Sequence, residues 1–272
     1  MTLCVVWRDD GIVNFASDSR LTLKEKSTES SAVYTDIAIK VLSLPYKIFN
    51  PTYENKTSVA YEGELGMCFA GNAINSLFIK ETIVELIKDL QLTPGYTDIS
   101  MQGIADYMFS IYKPITEKVC DAVMGGSGRA FIIIGGFCPD LGKVRVFSME
   151  TDVNNKHTLT ELLKQNNDHF FTGSGKAIAI KNLTCQPTSK DILKTLQFVI
   201  NDVDTESVGG KIQYGSFQDE KFSVSGIADI GDDVHYWRGA LDINSDTVNS
   251  SNGGFVSRFT FIDPFDVFSS EN

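Results

Sequence analysis

The chain has 272 residues, enough for one large domain or two small ones, and its 42% hydrophobic, 22% charged and 11% aromatic content excludes disordered, collagen-like and disulfide-scaffold classes. The 24 basic and 35 acidic residues give a net charge of −11, which disfavours a broad nucleic-acid or anionic-membrane surface. No stretch approaches the about 18 apolar residues of a membrane helix, and Met1-Thr2-Leu3-Cys4-Val5-Val6-Trp7, followed at once by Arg8-Asp9-Asp10, lacks the charged lead-in, long apolar run and cleavage site of a secretory signal.

The elements begin with a hairpin. Leu3 onward is apolar and β-branched, Arg8-Asp9-Asp10-Gly11 is a polar turn, and Ile12 to Ala16 returns as a second strand. Ser27 to Thr35 is polar and predicts a loop, after which Ile37 to Leu44 predicts a strand ended by Pro45. A strand over Leu65 to Ala70 leads through Gly71-Asn72 into a helix over Ala73 to Leu92, where Ile74, Leu77, Phe78, Ile83, Leu86, Ile87 and Leu90 recur at helical spacing.

A second helical pattern runs from Ile99 to Val123, and Pro114 predicts a kink or boundary within it. Ala130 to Gly135 and Val144 to Met149 read as a strand pair, with Phe170 to Thr172 as a short third strand. Ala177 to Leu183 predicts a short helix, Lys190 to Val203 an amphipathic one and Lys211 to Phe217 a strand. This order predicts an α+β fold of two antiparallel sheets with helices on both outer faces, a four-layer αββα sandwich. No linker or repeat interrupts it. Residues 218 to 272 are polar and punctuated by Gly226, Gly231, Gly239, Gly253 and Gly254, with strand-like pieces such as Val256 to Ile262.

Cys4, Cys68, Cys120, Cys138 and Cys185 are odd in number and show neither C-x-x-C nor nearby histidines at ligand spacing, so they read as thiols of a reducing, cytoplasmic compartment, and the four in apolar or strand-like contexts as small core hydrophobes. His157, His169 and His235 fall in polar segments without a partner pattern, which leaves little room for Ser/His/Asp or Cys/His catalysis.

Thr2 follows Met1 directly, and a small second residue favours removal of the initiator. A threonine so exposed carries a hydroxyl nucleophile and, a few bonds away, an α-amine of pKa about 7.7–8.0 that can serve as its base. Behind it stand Asp10-Gly11-Ile12-Val13, Ala16-Ser17-Asp18-Ser19-Arg20, Lys40-Val41-Leu42-Ser43-Leu44 and Phe69-Ala70-Gly71-Asn72-Ala73. Later come Phe171-Thr172-Gly173-Ser174-Gly175-Lys176-Ala177 and Asp204-Thr205-Glu206-Ser207-Val208-Gly209-Gly210-Lys211-Ile212. Together these motifs, over about residues 2 to 217, resemble proteasome β-type subunits, which are N-terminal-nucleophile hydrolases. Simple bacterial proteasome-like peptidases without a propeptide are the nearest in style.

The resemblance implies a β-type domain over residues 2–217, followed by a C-terminal strand and an atypical extension over 218–272. It also implies a threonine-type endopeptidase in which Thr2 Oγ attacks a peptide carbonyl and the freed α-amine accepts the proton. By the same resemblance Lys40 is the cation that favours the neutral amine, and Asp18 pairs with Lys40 and holds it in place. The Gly71 N–H donates to the oxyanion, and Ser174, Asp204 and Ser207 support the threonine amine. Phe69 falls at the floor of the specificity pocket, with Ala73 and Leu42 on its walls, which suits small apolar side chains. Neither metal nor organic cofactor is implied. The partners implied are a peptide or unfolded-protein substrate and further copies of the chain in a ring; an ATPase partner is left open.

Each of these residues also has a plainer role. A serine between glycines makes a turn, Asp204 near a helix end solvates the last turn, Asp18 could pair with Arg20 or Arg8, and Lys40 could be a solvated charge at a strand start. The spacing from Asp18 to Lys40 is longer than in the family, so Lys26 and Lys47 stay open as alternatives for the cation. Two further functions stay open: an amidase acting on small amides with the same nucleophile, and a catalytically silent scaffold subunit.

Overall fold

The structure is a computed structural model that describes residues 2–24, 33–51, 58–229, 234–237, 241–242 and 261–263. Along the chain the strands β1 (Leu3–Asp9), β2 (Ile12–Ser17), β3 (Leu21–Lys24), β4 (Val33–Thr35), β5 (Val41–Phe49) and β6 (Val59–Gly71) come first. Then follow α1 (Ala73–Ile87), β7 (Leu90–Gln91), α2 (Met101–Val119), β8 (Ala130–Cys138), β9 (Lys143–Thr151), β10 (His157–Leu162) and β11 (His169–Gly173). The helices α3 (Lys176–Asn182) and α4 (Ser189–Asn201) precede β12 (Gln213–Gln218), β13 (Lys221–Asp229), β14 (Val234–Trp237), β15 (Leu241–Asp242) and β16 (Phe261–Ile262). The chain divides into two compact units, the first from 1–42, 165–216 and 224–272, the second from 43–164 and 217–223.

The first unit is organised by an eight-stranded sheet in the order β11-β1-β2-β12-β13-β14-β15, with β16 parallel to β13. The β1–β2 hairpin closes through Asp10 and Gly11, whose φ values of 46° and 79° give the twist that a two-residue hairpin turn needs. On one face of this sheet Leu3, Val5, Trp7, Ala16 and Phe171 pack against Ala179 of α3 and against Ile192, Leu193, Leu196, Val199 and Ile200 of α4. That apolar set explains why α4 keeps its strict amphipathic spacing. Thr188 starts α4 with a reciprocal cap: its side chain accepts from the Asp191 N–H while the Asp191 carboxylate accepts from the Thr188 N–H. The Trp7 indole donates to Ser189 Oγ at 2.7 Å, and that hydroxyl donates in turn to the Asp9 carboxylate.

Tyr214 belongs to the same core and donates to Asn14 Oδ1 at 2.6 Å. Burial pushes its phenol up to about 12. The unfolded phenol ionises near its ordinary value of about 10, so the stability that Tyr214 contributes is intact below pH 10 and is lost as pH rises toward 12. Urea titrations at pH 9 and pH 11 should show that loss, and Tyr214→Phe should shrink the difference; an unchanged difference would show that other groups set it.

The second unit is a six-stranded sheet in the order β10-β9-β8-β6-β5-β7, with α1 and α2 packed against each other and on β8. Asn72 caps α1 by accepting from the Asn75 N–H at 2.8 Å. Pro114 lies inside α2 without ending it, and a π-helical turn over Cys120–Met124 follows the helix. Pro45 likewise does not end its strand, since β5 runs on to Phe49. The described partner on that side, β7, pairs only with Ile48 and Phe49, and proline is tolerated where a strand lacks a neighbour. The first helix stops at Ile87 because Leu90 and Gln91 turn back to pair in parallel with Ile48 and Phe49.

The expected four-layer αββα sandwich of two antiparallel sheets is not the architecture observed. Among the described residues strands predominate: there are three sheets, two strand pairings are parallel, and four α-helices accompany them. The expectation failed on short or polar strands. The segment Ser27 to Thr35, expected as a loop, ends in β4, which pairs with β3. His157–Leu162 pairs with β9, and the tail beyond residue 218 contributes β13 to β16. Positions 27–32, 231, 239 and 253–260 of the expected loop and tail lie outside the described residues.

Candidate active site

The chain enters β1 at Thr2, which is buried. Its carbonyl accepts from the Ser174 N–H at 2.9 Å, and the next residue pairs across to Gly173. Gly173 has φ 101°, and a Cβ there would sit 1.8 Å from the Thr2 carbonyl oxygen. Only glycine lets β11 approach the start of β1 this closely.

Asp18 directly follows β2 and is opposite that start. Its N–H donates to the Leu3 carbonyl at 3.3 Å, while its Oδ1 accepts from the Leu3 N–H at 3.0 Å and from Lys40 Nζ at 2.8 Å. Its Oδ2 accepts from the N–H groups of Arg20 and Gly209, both at 3.1 Å. Lys40 Nζ donates also to the Arg20 carbonyl at 2.6 Å. The side chains of the pair are 1% and 0% exposed, so one carboxylate oxygen ties a fully buried ammonium to the backbone beside Thr2.

Ser174 and Ser207 share a hydrogen bond of 2.8 Å. Ser174 is exposed and Ser207 half-buried, so polar groups run from the surface past Thr2 to the buried pair. Asp204 is exposed, and its N–H donates to Asp202 Oδ1 at 3.1 Å. Of the alternative cations, Lys47 is half-exposed beside Glu62 in the second unit, and Lys26 lies outside the described residues.

Gln213 and the Arg20–Asp36 pair were not expected from the sequence. Arg20 makes a two-pronged contact with Asp36, at 2.8 and 3.0 Å, stacks over Tyr34 at 3.7 Å and donates to the Glu206 carbonyl. That fork, with the Asp36 hydrogen bond as the largest cause, raises the guanidinium further above its ordinary range. Gln213 is wholly buried, and a glutamine on the inward face of a strand is the one signal that could have marked it.

Gly71, Phe69 and Ala73 belong to the second unit, and Leu42 to the first. Gly71 is exposed with φ 85°, next to the cap of α1; Phe69 is buried in β6, and Ala73 opens α1 half-buried. Among the described residues no group of three or more His, Cys, Asp or Glu side chains could hold a metal, and no helix is long and apolar enough to cross a membrane.

No family model matches the chain, and no curated protein matches it. Its likeness is to solved structures. Anbu (ancestral beta-subunit) from Yersinia bercovieri is 16% identical with a TM-score of 0.52, over 82% of this chain and 86% of that one. The helical assembly of the Anbu complex from Pseudomonas aeruginosa is 15% identical with a TM-score of 0.52, over 82% and 85%. A Gly-1 mutant of Anbu from Hyphomicrobium sp. strain MC1 is 16% identical with a TM-score of 0.52, over 83% and 85%.

These findings correct the expected membership of the proteasome β-type, N-terminal-nucleophile hydrolase family. The neighbours are Anbu proteins, proteasome-like but a family of their own, and at such identities the likeness is one of fold. The motifs that suggested membership sit at strand ends and glycine turns, which the packing of this fold requires whatever chemistry it hosts.

Proposed function

We propose that the protein is a threonine-type peptidase whose nucleophile is Thr2 after removal of Met1. The observation that carries the proposal is the carboxylate oxygen Asp18 Oδ1, shared by the Leu3 N–H and by the fully buried Lys40 ammonium. A buried ion pair is a weak source of net stability, because desolvating both charges offsets most of their attraction. Linked through Asp18 to the start of β1, that ammonium is suited to favour the neutral form of the α-amine that removal of Met1 would free.

In the proposed reaction Thr2 Oγ bonds to the substrate carbonyl carbon as its proton passes to the α-amine. The amine then gives that proton to the leaving nitrogen as the amide bond breaks, and water hydrolyses the resulting ester to restore the hydroxyl. Asp18 positions Lys40, and the linked Ser174 and Ser207 hydroxyls supply polar partners at the exposed end. The proposal rests on residues of the first unit alone. It includes a peptide or unfolded-protein substrate, the cytoplasm as compartment and a homo-oligomeric state, the last supported by the helical assembly of the Pseudomonas aeruginosa protein.

The test is intact mass and peptide mapping before and after exposure to a β-lactone or epoxyketone. We expect loss of Met1 and a single adduct on Thr2, absent in Thr2→Ala. Faster cleavage of short peptides than of small acyl-amides is expected too; the reverse would make the enzyme an amidase. Retained Met1, or a processed chain that never labels, would sink the proposal in favour of a silent scaffold.

A further inference from the structure

Gln213 makes four hydrogen bonds from one buried side chain. Its Nε2 donates to the carbonyls of Asp18 at 3.2 Å and Ala38 at 2.6 Å, and its Oε1 accepts from the N–H groups of Lys40 at 2.8 Å and Val41 at 3.3 Å. Two of these partners can only accept and two can only donate, so the orientation of the carboxamide is forced. Residues 37–40 lie in no regular strand, although Lys40 must be placed to reach Asp18. Toward the Ala38 carbonyl and the Lys40 N–H the carboxamide does what a neighbouring strand's peptide group does in a ladder. Its second donor holds the backbone of Asp18. One side chain therefore fixes the separation between the two backbone segments that carry the ion pair.

We infer that Gln213 is a positioning residue for the Thr2 chemistry, acting by setting where Lys40 and Asp18 meet; this rests on the function proposed above. Gln213→Asn is too short to span both segments. Gln213→Glu keeps the size and the acceptor role but loses both donors and sets a carboxylate against two carbonyls.

The experiment measures the rate of Thr2 labelling by a β-lactone against pH and reagent concentration in the full chain, Gln213→Asn, Gln213→Glu and Leu196→Val. Leu196→Val is a purely packing control from the α4 core. For Gln213→Asn the limiting rate should fall about 100-fold, as for a misplacement of the order of 1 Å. Half-saturation should stay within about twofold, and the pH midpoint should move up toward the ordinary amine range of about 7.7–8.0. Leu196→Val should lower the thermal midpoint without moving the pH midpoint. If Gln213→Asn does not fold, Gln213→Glu is expected to show the same upward move. Unchanged rate and pH midpoint in the Gln213 variants, with normal labelling of the unsubstituted chain, would overturn the inference and leave the proposed function standing. An unsubstituted chain that never labels would remove both.

Discussion

Replacing Asp18 with alanine is expected to destabilise the protein by about 5 kcal/mol and replacing Lys40 with methionine by about 3, the two ends of the range for breaking a buried ion pair. The asymmetry follows from what each loss leaves behind. Without the ammonium, the Asp18 carboxylate still accepts from the N–H groups of Leu3, Arg20 and Gly209. Without the carboxylate, those three N–H groups, two of them in buried hydrogen bonds, lose their acceptor, and the buried ammonium is left with the Arg20 carbonyl. Urea unfolding with matched slopes would measure the difference. Equal losses, or a larger loss for Lys40→Met, would show that the three backbone donors do not sustain the carboxylate. Neither variant should label at Thr2.

Gly173→Ala should cost at least about 3 kcal/mol, because a side chain at such a φ carries about 1–3 kcal/mol of strain before any clash is counted. The clash is with backbone that cannot swing away: the new Cβ would stand 1.8 Å from the Thr2 carbonyl oxygen and 2.7 Å from its carbon. The start of β1 must then leave β11, so amide protection at Ser174, whose N–H donates to the Thr2 carbonyl, should collapse while that of α4 persists. Gly142→Ala separates the two causes. Its φ of 60° is also left-handed, but nothing lies within 4 Å of a Cβ built there, so it should show the backbone strain alone. Similar losses in the two variants would mean that the approach of β11 to Thr2 is softer than described.

The parts of the fold legible in the sequence were those with long, regular patterns. The β1–β2 hairpin announced itself through Asp10-Gly11 between apolar runs, and α4 through five apolar residues at helical spacing. Proline misled at Pro45, which lies inside β5 rather than at its end, because what a strand proline does depends on its neighbours' hydrogen bonds, which a linear reading does not contain; at Pro114 no boundary falls, since α2 runs through it. The strands β3, β10 and β13 to β15 escaped because they are short or polar and depend on a partner strand for definition. In the site, Thr2, Asp18, Lys40, Ser174 and Ser207 could be named from motifs, and the structure sets Asp18 against Lys40 and Ser174 against Ser207. Gln213 was missed, its position on the inward face of a strand being the one signal for it. Its neighbours come from segments some 170 to 195 positions away, and its sequence context, Gln213-Tyr214-Gly215-Ser216, is an ordinary strand.

Because one oxygen of Asp18 anchors both the first strand and the lysine, selection for folding alone would preserve the pair. A lineage that abandoned hydrolysis would lose its threonine freely yet retain the aspartate and the lysine, since discarding either leaves a stranded charge or orphaned amides. Among descendants of this chain, the second position would therefore record whether catalysis survives, whereas positions 18 and 40 would record only that the fold does.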